Sequence, residues 1–154
     1  ASADPLNAAL TEAMRHVRGQ GAAHVLVLHA DLPLAIGAEL RALLEAHARA
    51  LAVHGAPLAT LVTDRAGEGS NCLLMTPPDA LEYRFGAGSR QRHHAAAAAA
   101  GARCEEFAGA GLGRDIDHPQ ELAELVAICQ SAENACGPHT TKLLLRRAPG
   151  SHTI

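Results

Sequence analysis

Strands alternating with helices along 154 residues predict an α/β domain with a mostly parallel sheet and helices on both faces. Two short apolar runs, Val25-Leu-Val-Leu28 and Leu58-Ala-Thr-Leu-Val-Thr63, read as strands buried on both faces. Leucines recur at helical intervals in the segments around them. Aromatic side chains are limited to Tyr83, Phe85 and Phe107, so the core must be close-packed from small aliphatic groups, as in stacked α/β layers. The length suits one domain with a core of its own.

The elements follow in order. Asp4-Pro5 offers an N-cap followed by proline at the first helical position. Leu6, Leu10, Met14 and Val17 then repeat at helical spacing until Gly19 and Gly21. After the strand at Val25, Asp31-Leu-Pro places a carboxylate just past a strand end. Residues 37–53 carry Leu40, Leu43, Leu44 and Leu51 on a helical pattern closed by Gly55 and Pro57. The strand at Leu58 leads into the loop Asp64-Arg-Ala-Gly-Glu-Gly-Ser70, and residues 71–75 form a third strand ended by Pro77-Pro78. Gly86-Ala-Gly-Ser89 precedes a helix whose middle is six alanines, a strong helix former that needs no functional explanation. Gly101 stops that helix, residues 103–107 suit an edge strand, and a last helix runs over 119–130. Residues 1–137 read as the domain and 138–154 as a partly ordered arm, open to packing on a partner subunit in a homodimer.

Composition narrows the partners. The net charge of −3 provides no basic field for nucleic acid, so an anionic ligand must be held by local groups or metal ions. Cys72, Cys104, Cys129 and Cys136 lack CxxC spacing and read as free thiols of a reducing cytoplasm rather than a disulfide framework or zinc site. The ten histidines are scattered; His93 and His94 are adjacent, and helix neighbours do not face the same way. No apolar run reaches membrane-spanning length and no signal peptide opens the chain, so the expected location is cytoplasmic, without membrane contact. Neither GxGxxG nor GxxxxGK[ST] occurs.

The run Gly111-Leu-Gly-Arg-Asp-Ile-Asp-His-Pro119 is the most informative stretch. On an extended segment Asp115 and Asp117 project to one side. Pro119 and a helical pattern follow, so the pair is expected at a strand end, where open α/β sheets bind ligands. Paired carboxylates there suit a hard divalent cation that also bridges to substrate phosphate. Each feature alone has an ordinary reading: a helix-capping pair, a turn at Asp31, glycine punctuation, an N-cap at Ser89, a solvated helix face at Arg92-His93.

Taken in order, Asp4-Pro-Leu-Asn7, Ala30-Asp-Leu-Pro33, Asp64-Arg-x-Gly-x-Gly-Ser-Asn71, Arg84-Phe-Gly-x-Gly-Ser89, Arg92-His93 and Asp115-Ile-Asp-x-Pro119 resemble one family over roughly residues 4 to 130. It is the 2-phospho-L-lactate guanylyltransferases, with their phosphoenolpyruvate- and 3-phosphoglycerate-using relatives of coenzyme F-420 biosynthesis. The resemblance implies a nucleotide-diphospho-sugar-transferase-like (GT-A, Rossmann-like) sandwich. It further implies that Asp31, Asp115 and Asp117 hold two Mg²⁺ ions as the catalytic centre. Ser70, Gly86 and Ser89 match positions that contact the phosphorylated three-carbon acid, and Asn7 matches the stretch beside GTP. Family members open with a strand and a Lys/Arg-rich loop that helps hold the triphosphate; this sequence opens with a helix, so the first βαβ unit is expected to be absent.

The implied reaction is nucleotidyl transfer, in which an acceptor phosphate oxygen attacks the α-phosphorus of GTP and pyrophosphate leaves. The nucleophile is already an anion, so the difficulty is electrostatic, and metal ions and oriented donors are what the chemistry requires. Another metal-dependent nucleotidyltransferase, or a non-catalytic acceptor-binding module that lost the triphosphate loop, are the alternatives.

Overall fold

The computed structural model describes residues 4–131 and 136–146. Its elements in chain order are α1 (Pro5–Gly19), β1 (Val25–Leu28), α2 (Gly37–His54), β2 (Leu58–Thr63), β3 (Ser70–Thr76), α3 (Ser89–Ala100), β4 (Arg103–Glu106), α4 (Pro119–Ser131) and α5 (Pro138–Arg146). Asp4 caps α1 as its sequence suggests, its carboxylate accepting from the Leu6 and Asn7 N–H groups at 3.0 and 3.3 Å.

The sheet is four-stranded in the order β1-β3-β2-β4. It is mixed, not mostly parallel: β3 runs antiparallel to both β1 and β2, and β2–β4 is the parallel pair. The reason is chain length. Only residues 64–69 join β2 to β3, enough for a hairpin but too few for a parallel crossover. The β2–β4 connection carries α3, the helical crossover that a parallel pair needs. β1 was expected to be buried on both faces. It pairs on one side alone among the described residues, so its side chains are only partly covered and Leu28 is 41% exposed.

Side chains alternate across the sheet as the pleat dictates. Ala59, Leu61, Leu73 and Met75 point to one face, where α1 adds Leu10 and Met14 and α3 adds Ala97. Val62, Cys72 and Leu74 point to the other, against Leu43 and Leu40 of α2, with Leu112 and Phe107 from the chain after β4. Helices therefore cover both faces, as expected. Burying each such Leu or Val contributes about 1.5–3 kcal/mol against leaving it in water.

A third, smaller cluster joins the last two helices. Leu125, Cys129 and Cys136 form it, with Leu34, Ile116 and Leu144 against them. Cys129 and Cys136 are disulfide-bonded, which corrects the free-thiol reading for this pair. Cys129 in α4 and Cys136 just before α5 are seven residues apart with a Cα–Cα separation of 6.1 Å, within disulfide reach. Cys72 and Cys104 are free. The expected C-terminal arm begins instead as a helix, α5, packed on α4; residues 147–154 lie outside the described residues. No described helix is long and apolar enough to cross a membrane.

Candidate active site

The C-terminal end of β1, the start of β3 and the segments before α3 and α4 meet at one end of the sheet. A bulge organises this end. Val62 pairs with Cys72 but Thr63 pairs with Ser70, so Asn71 is an extra residue in β3. A bulge re-aims the side chains around it. Ser70 reaches α3, while Asn71 reaches the loop that carries Asp115.

On the α3 side, Ser70, Ser89 and His93 form a buried chain. The Ser89 hydroxyl donates to Ser70 Oγ at 3.0 Å, and His93 Nδ1 lies 3.0 Å from the same oxygen. The Arg84 N–H donates to the other ring nitrogen, His93 Nε2, at 3.0 Å. Ser89 and His93 share a helix face because they are four residues apart, and both are buried with Ala97 one turn on. His93 is 0% exposed, which overturns the solvated-face reading at this position, although Arg92 does face outward. Burial first, with the charges of Arg92 and His94 adding to it, pushes the His93 pKa down to about 4. The ring is therefore neutral over the physiological range.

The loop leading into α3 is held from three sides. Asn7 accepts from the Phe85 N–H at 2.8 Å and donates to the Phe85 carbonyl at 3.1 Å. Arg92 donates to the same carbonyl at 2.8 Å. Both Asn7 bonds therefore hold the loop before α3. Gly86 has φ +105 and would set a Cβ 3.0 Å from the Arg92 guanidinium, so glycine is needed there. Part of the α3 N-terminus is already satisfied: the Ser89 N–H donates to the Gly86 carbonyl and the Arg90 N–H to the Glu68 carbonyl, at 3.0 and 3.1 Å. Arg90 also ties the β2–β3 loop down, donating to the Gly67 carbonyl at 3.2 Å.

On the Asp115 side, the chain from Gly109 to Asp117 is irregular, not the strand end expected of it. Its path is fixed by Glu39, in the first turn of α2. The Glu39 carboxylate accepts from the Gly111 N–H at 2.9 Å and the Leu112 N–H at 2.9 Å, so the loop wraps it as a backbone nest wraps an anion. A Cβ on Gly111 would fall 2.1 Å from the Leu34 carbonyl oxygen. Asn71 Nδ2 then donates to the Leu112 carbonyl at 3.1 Å and to Asp115 Oδ1 at 3.2 Å. Glu121 reaches back to accept from the Asp117 and His118 N–H groups at 2.7 and 2.8 Å, a capping-box contact that holds its carboxyl pKa below the usual range.

Asp31 leaves β1 two residues after His29, whose N–H donates to the Asn71 carbonyl at 3.1 Å. Asn71 is therefore bonded both to His29, two residues before Asp31, and to Asp115. Asp31 and Asp117 are exposed and Asp115 is half-buried; none of the three joins an ion pair among the described residues. Nor do any three Asp, Glu, His or Cys side chains among the described residues close on a common metal position. The structure brings Ser70, Gly86 and Ser89 together, and places the three aspartates at the same end without packing them into a cluster.

The profile of a family described as "Guanylyl transferase CofC like" matches residues 2–135. The chain belongs to that family. Similar sequences include the phosphoenolpyruvate guanylyltransferase of Rubrobacter xylanophilus, 42% identical over 79% of this chain and 57% of the relative. Those of Chloroflexus aggregans and Conexibacter woesei are 35% and 34% identical over 80% and 90% of this chain, and 58% and 59% of their own lengths. The chain thus spans a little over half the length of these curated relatives. Within this CofC-like chain, sequence reasoning missed Glu39, the bulge at Asn71 and the inward turn of His93. For His93 a signal existed, since Ser89, His93 and Ala97 mark one helical stripe.

Proposed function

We propose that this chain forms the acceptor- and metal-binding part of a guanylyltransferase that joins the phosphate of a three-carbon phosphoacid to GMP from GTP, in coenzyme F-420 biosynthesis. The observation that carries the reading is the meeting of the buried, hydrogen-bonded Ser70 and Ser89 with the exposed Gly86 turn, at the end of the sheet where Asn71 bonds Asp115. Six tracts scattered along the sequence converge there, in a chain whose relatives are named phosphoenolpyruvate guanylyltransferase. We read the mixed sheet, with α1 and α3 on one face and α2 on the other, as part of a GT-A-like sandwich.

The roles follow from chemistry. Ser70 and Ser89 offer hydroxyl donors to an acid oxygen, nearly closed off from water (3% and 2% exposed), where a charge-assisted hydrogen bond is strong. Gly86 keeps the backbone low enough for a ligand to approach. In the transfer, an oxygen of the acceptor phosphate forms the new bond to the α-phosphorus, the bond from that phosphorus to the β-phosphate oxygen breaks, and pyrophosphate leaves with the electron pair. Asp31, Asp115 and Asp117 would hold the Mg²⁺ ions, which would supply charge neutralisation for the approaching phosphates. Mg²⁺ is commonly held by one or two carboxylates with substrate oxygens completing its sphere. Carboxylates with no ion-pair partner among the described residues, two of them exposed, are chemically suited to such a role.

Pyrophosphate release from GTP tests the reading. It is expected to require Mg²⁺ and one of phosphoenolpyruvate, 2-phospho-L-lactate or 3-phosphoglycerate, and to be lost in Asp117→Asn. No release with any of the three acids would refute it.

A further inference from the structure

His93 is the buried imidazole bonded to the Ser70–Ser89 pair, and nothing in the proposed transfer requires an imidazole. Its two nitrogens face different partners. A backbone N–H can only donate, so the Arg84 N–H fixes His93 Nε2 as an acceptor. The proton of the neutral ring is then on Nδ1, and it points at Ser70 Oγ, 3.0 Å away. Ser70 and Ser89 share one hydrogen bond, which uses one of their two hydroxyl protons. Because the ring gives a proton to this pair and takes none, one hydroxyl proton is left over with no acceptor among the described residues. With the opposite tautomer, Nδ1 would accept from Ser70 and consume that proton.

We propose that His93 is a positioning residue: by locking its own proton onto Ser70, it leaves the serine pair one uncommitted donor, so the pair takes an anionic oxygen of the acceptor acid. The assignment rests on reading Ser70 and Ser89 as acceptor-binding groups. Phe85 supports the ring edge-on at a centroid distance of 4.8 Å, and the depressed pKa keeps the ring from carrying a second proton that would clash with the Arg84 N–H. The consequence is selectivity by charge. A carboxylate or phosphate oxygen finds only donors, whereas the neutral amide or methyl ester of the same acid loses the charge-assisted part of the bond.

Two measurements test this. In the unliganded chain, nitrogen NMR of His93 is expected to show the Nδ1–H tautomer; the Nε2–H tautomer would overturn the proposal whatever the substrate. Calorimetry with phosphoenolpyruvate and Mg²⁺ then compares wild type, His93→Leu and His93→Asn, whose amide can replace the Nδ1 donor. His93→Leu is expected to weaken binding about tenfold or more, and His93→Asn to recover most of it, with GTP affinity unchanged in both. Equal phosphoenolpyruvate affinity in the wild type and His93→Leu, or equal losses in both variants, would leave His93 only a packing role. If the wild type binds none of the three phosphoacids, the reading of the pocket itself fails, and the proposal with it.

Discussion

The proposed acceptor site and the acidic end of the sheet begin at neighbouring residues, Ser70 and Asn71, yet they are finished to different degrees. Around Ser70 the hydrogen bonds are made within the chain: His93 and Ser89 bond the hydroxyl, and Asn7 and Arg92 lock the loop before α3 into one shape. Around Asn71 the backbone is equally fixed, by Glu39, Asn71 and Glu121, but the carboxylates of Asp31, Asp115 and Asp117 stay apart. Hydroxyls, amides and a neutral ring can be packed together without cost in charge. Three carboxylates cannot, because like charges in close contact repel unless a cation joins them. One half is preorganised by the fold, and in the proposed function the other is completed by what binds.

The sharpest way to break this contrast is at the acid end. Asp117→Asn, in an exposed position, is expected to lower pyrophosphate release at least about 100-fold while leaving thermal stability nearly unchanged. A large drop in melting temperature instead would make Asp117 a structural residue. Gly111→Ala acts on the support beneath, where the new Cβ meets the Leu34 carbonyl oxygen at 2.1 Å. It is expected to cost about 3 kcal/mol or more in stability by denaturant unfolding, and activity through displaced Asp115.

Lowering the pH probes the acceptor half. The His93 pKa falls from 6.5 unfolded to about 4 folded, so the unfolded chain binds more protons between those values. Its stabilising effect is complete above pH 6.5 and is lost as the pH falls toward 4, at most about 3 kcal/mol in all. Denaturant midpoints of wild type and His93→Asn across that window check it; parallel curves would contradict the shift. Asn7→Leu removes both contacts to Phe85 and is expected to cost about 1–3 kcal/mol. It should also weaken phosphoacid binding, and an unchanged acceptor affinity would show that the latch does not shape the pocket.

Much of the scaffold was legible because it rests on local rules. The bounds of β2, the Asp4 cap, the glycine stop of α3 and the helical leucine patterns all follow from residues close in sequence. What failed depends on neighbours that a linear pattern does not name. The run at Val25 looks like a central strand, but its exposure is set by what lies beside it. The antiparallel placement of β3 was recoverable, since residues 64–69 leave no room for a crossover. The Cys129–Cys136 bond, the bulge at Asn71 and the Glu39 strut arise only once distant segments are packed. The site residues were named by an ordered set of short tracts, and their convergence is a property of the fold.

The contrast between the proposed acceptor and metal sites is tested most directly by titrating phosphoenolpyruvate into the protein with EDTA present. Measurable binding is expected without metal, reduced by Ser70→Ala, untouched by Asp117→Asn, and tightened when Mg²⁺ replaces the chelator. No binding in EDTA, or equal loss in both variants, would mean that neither half stands without the other.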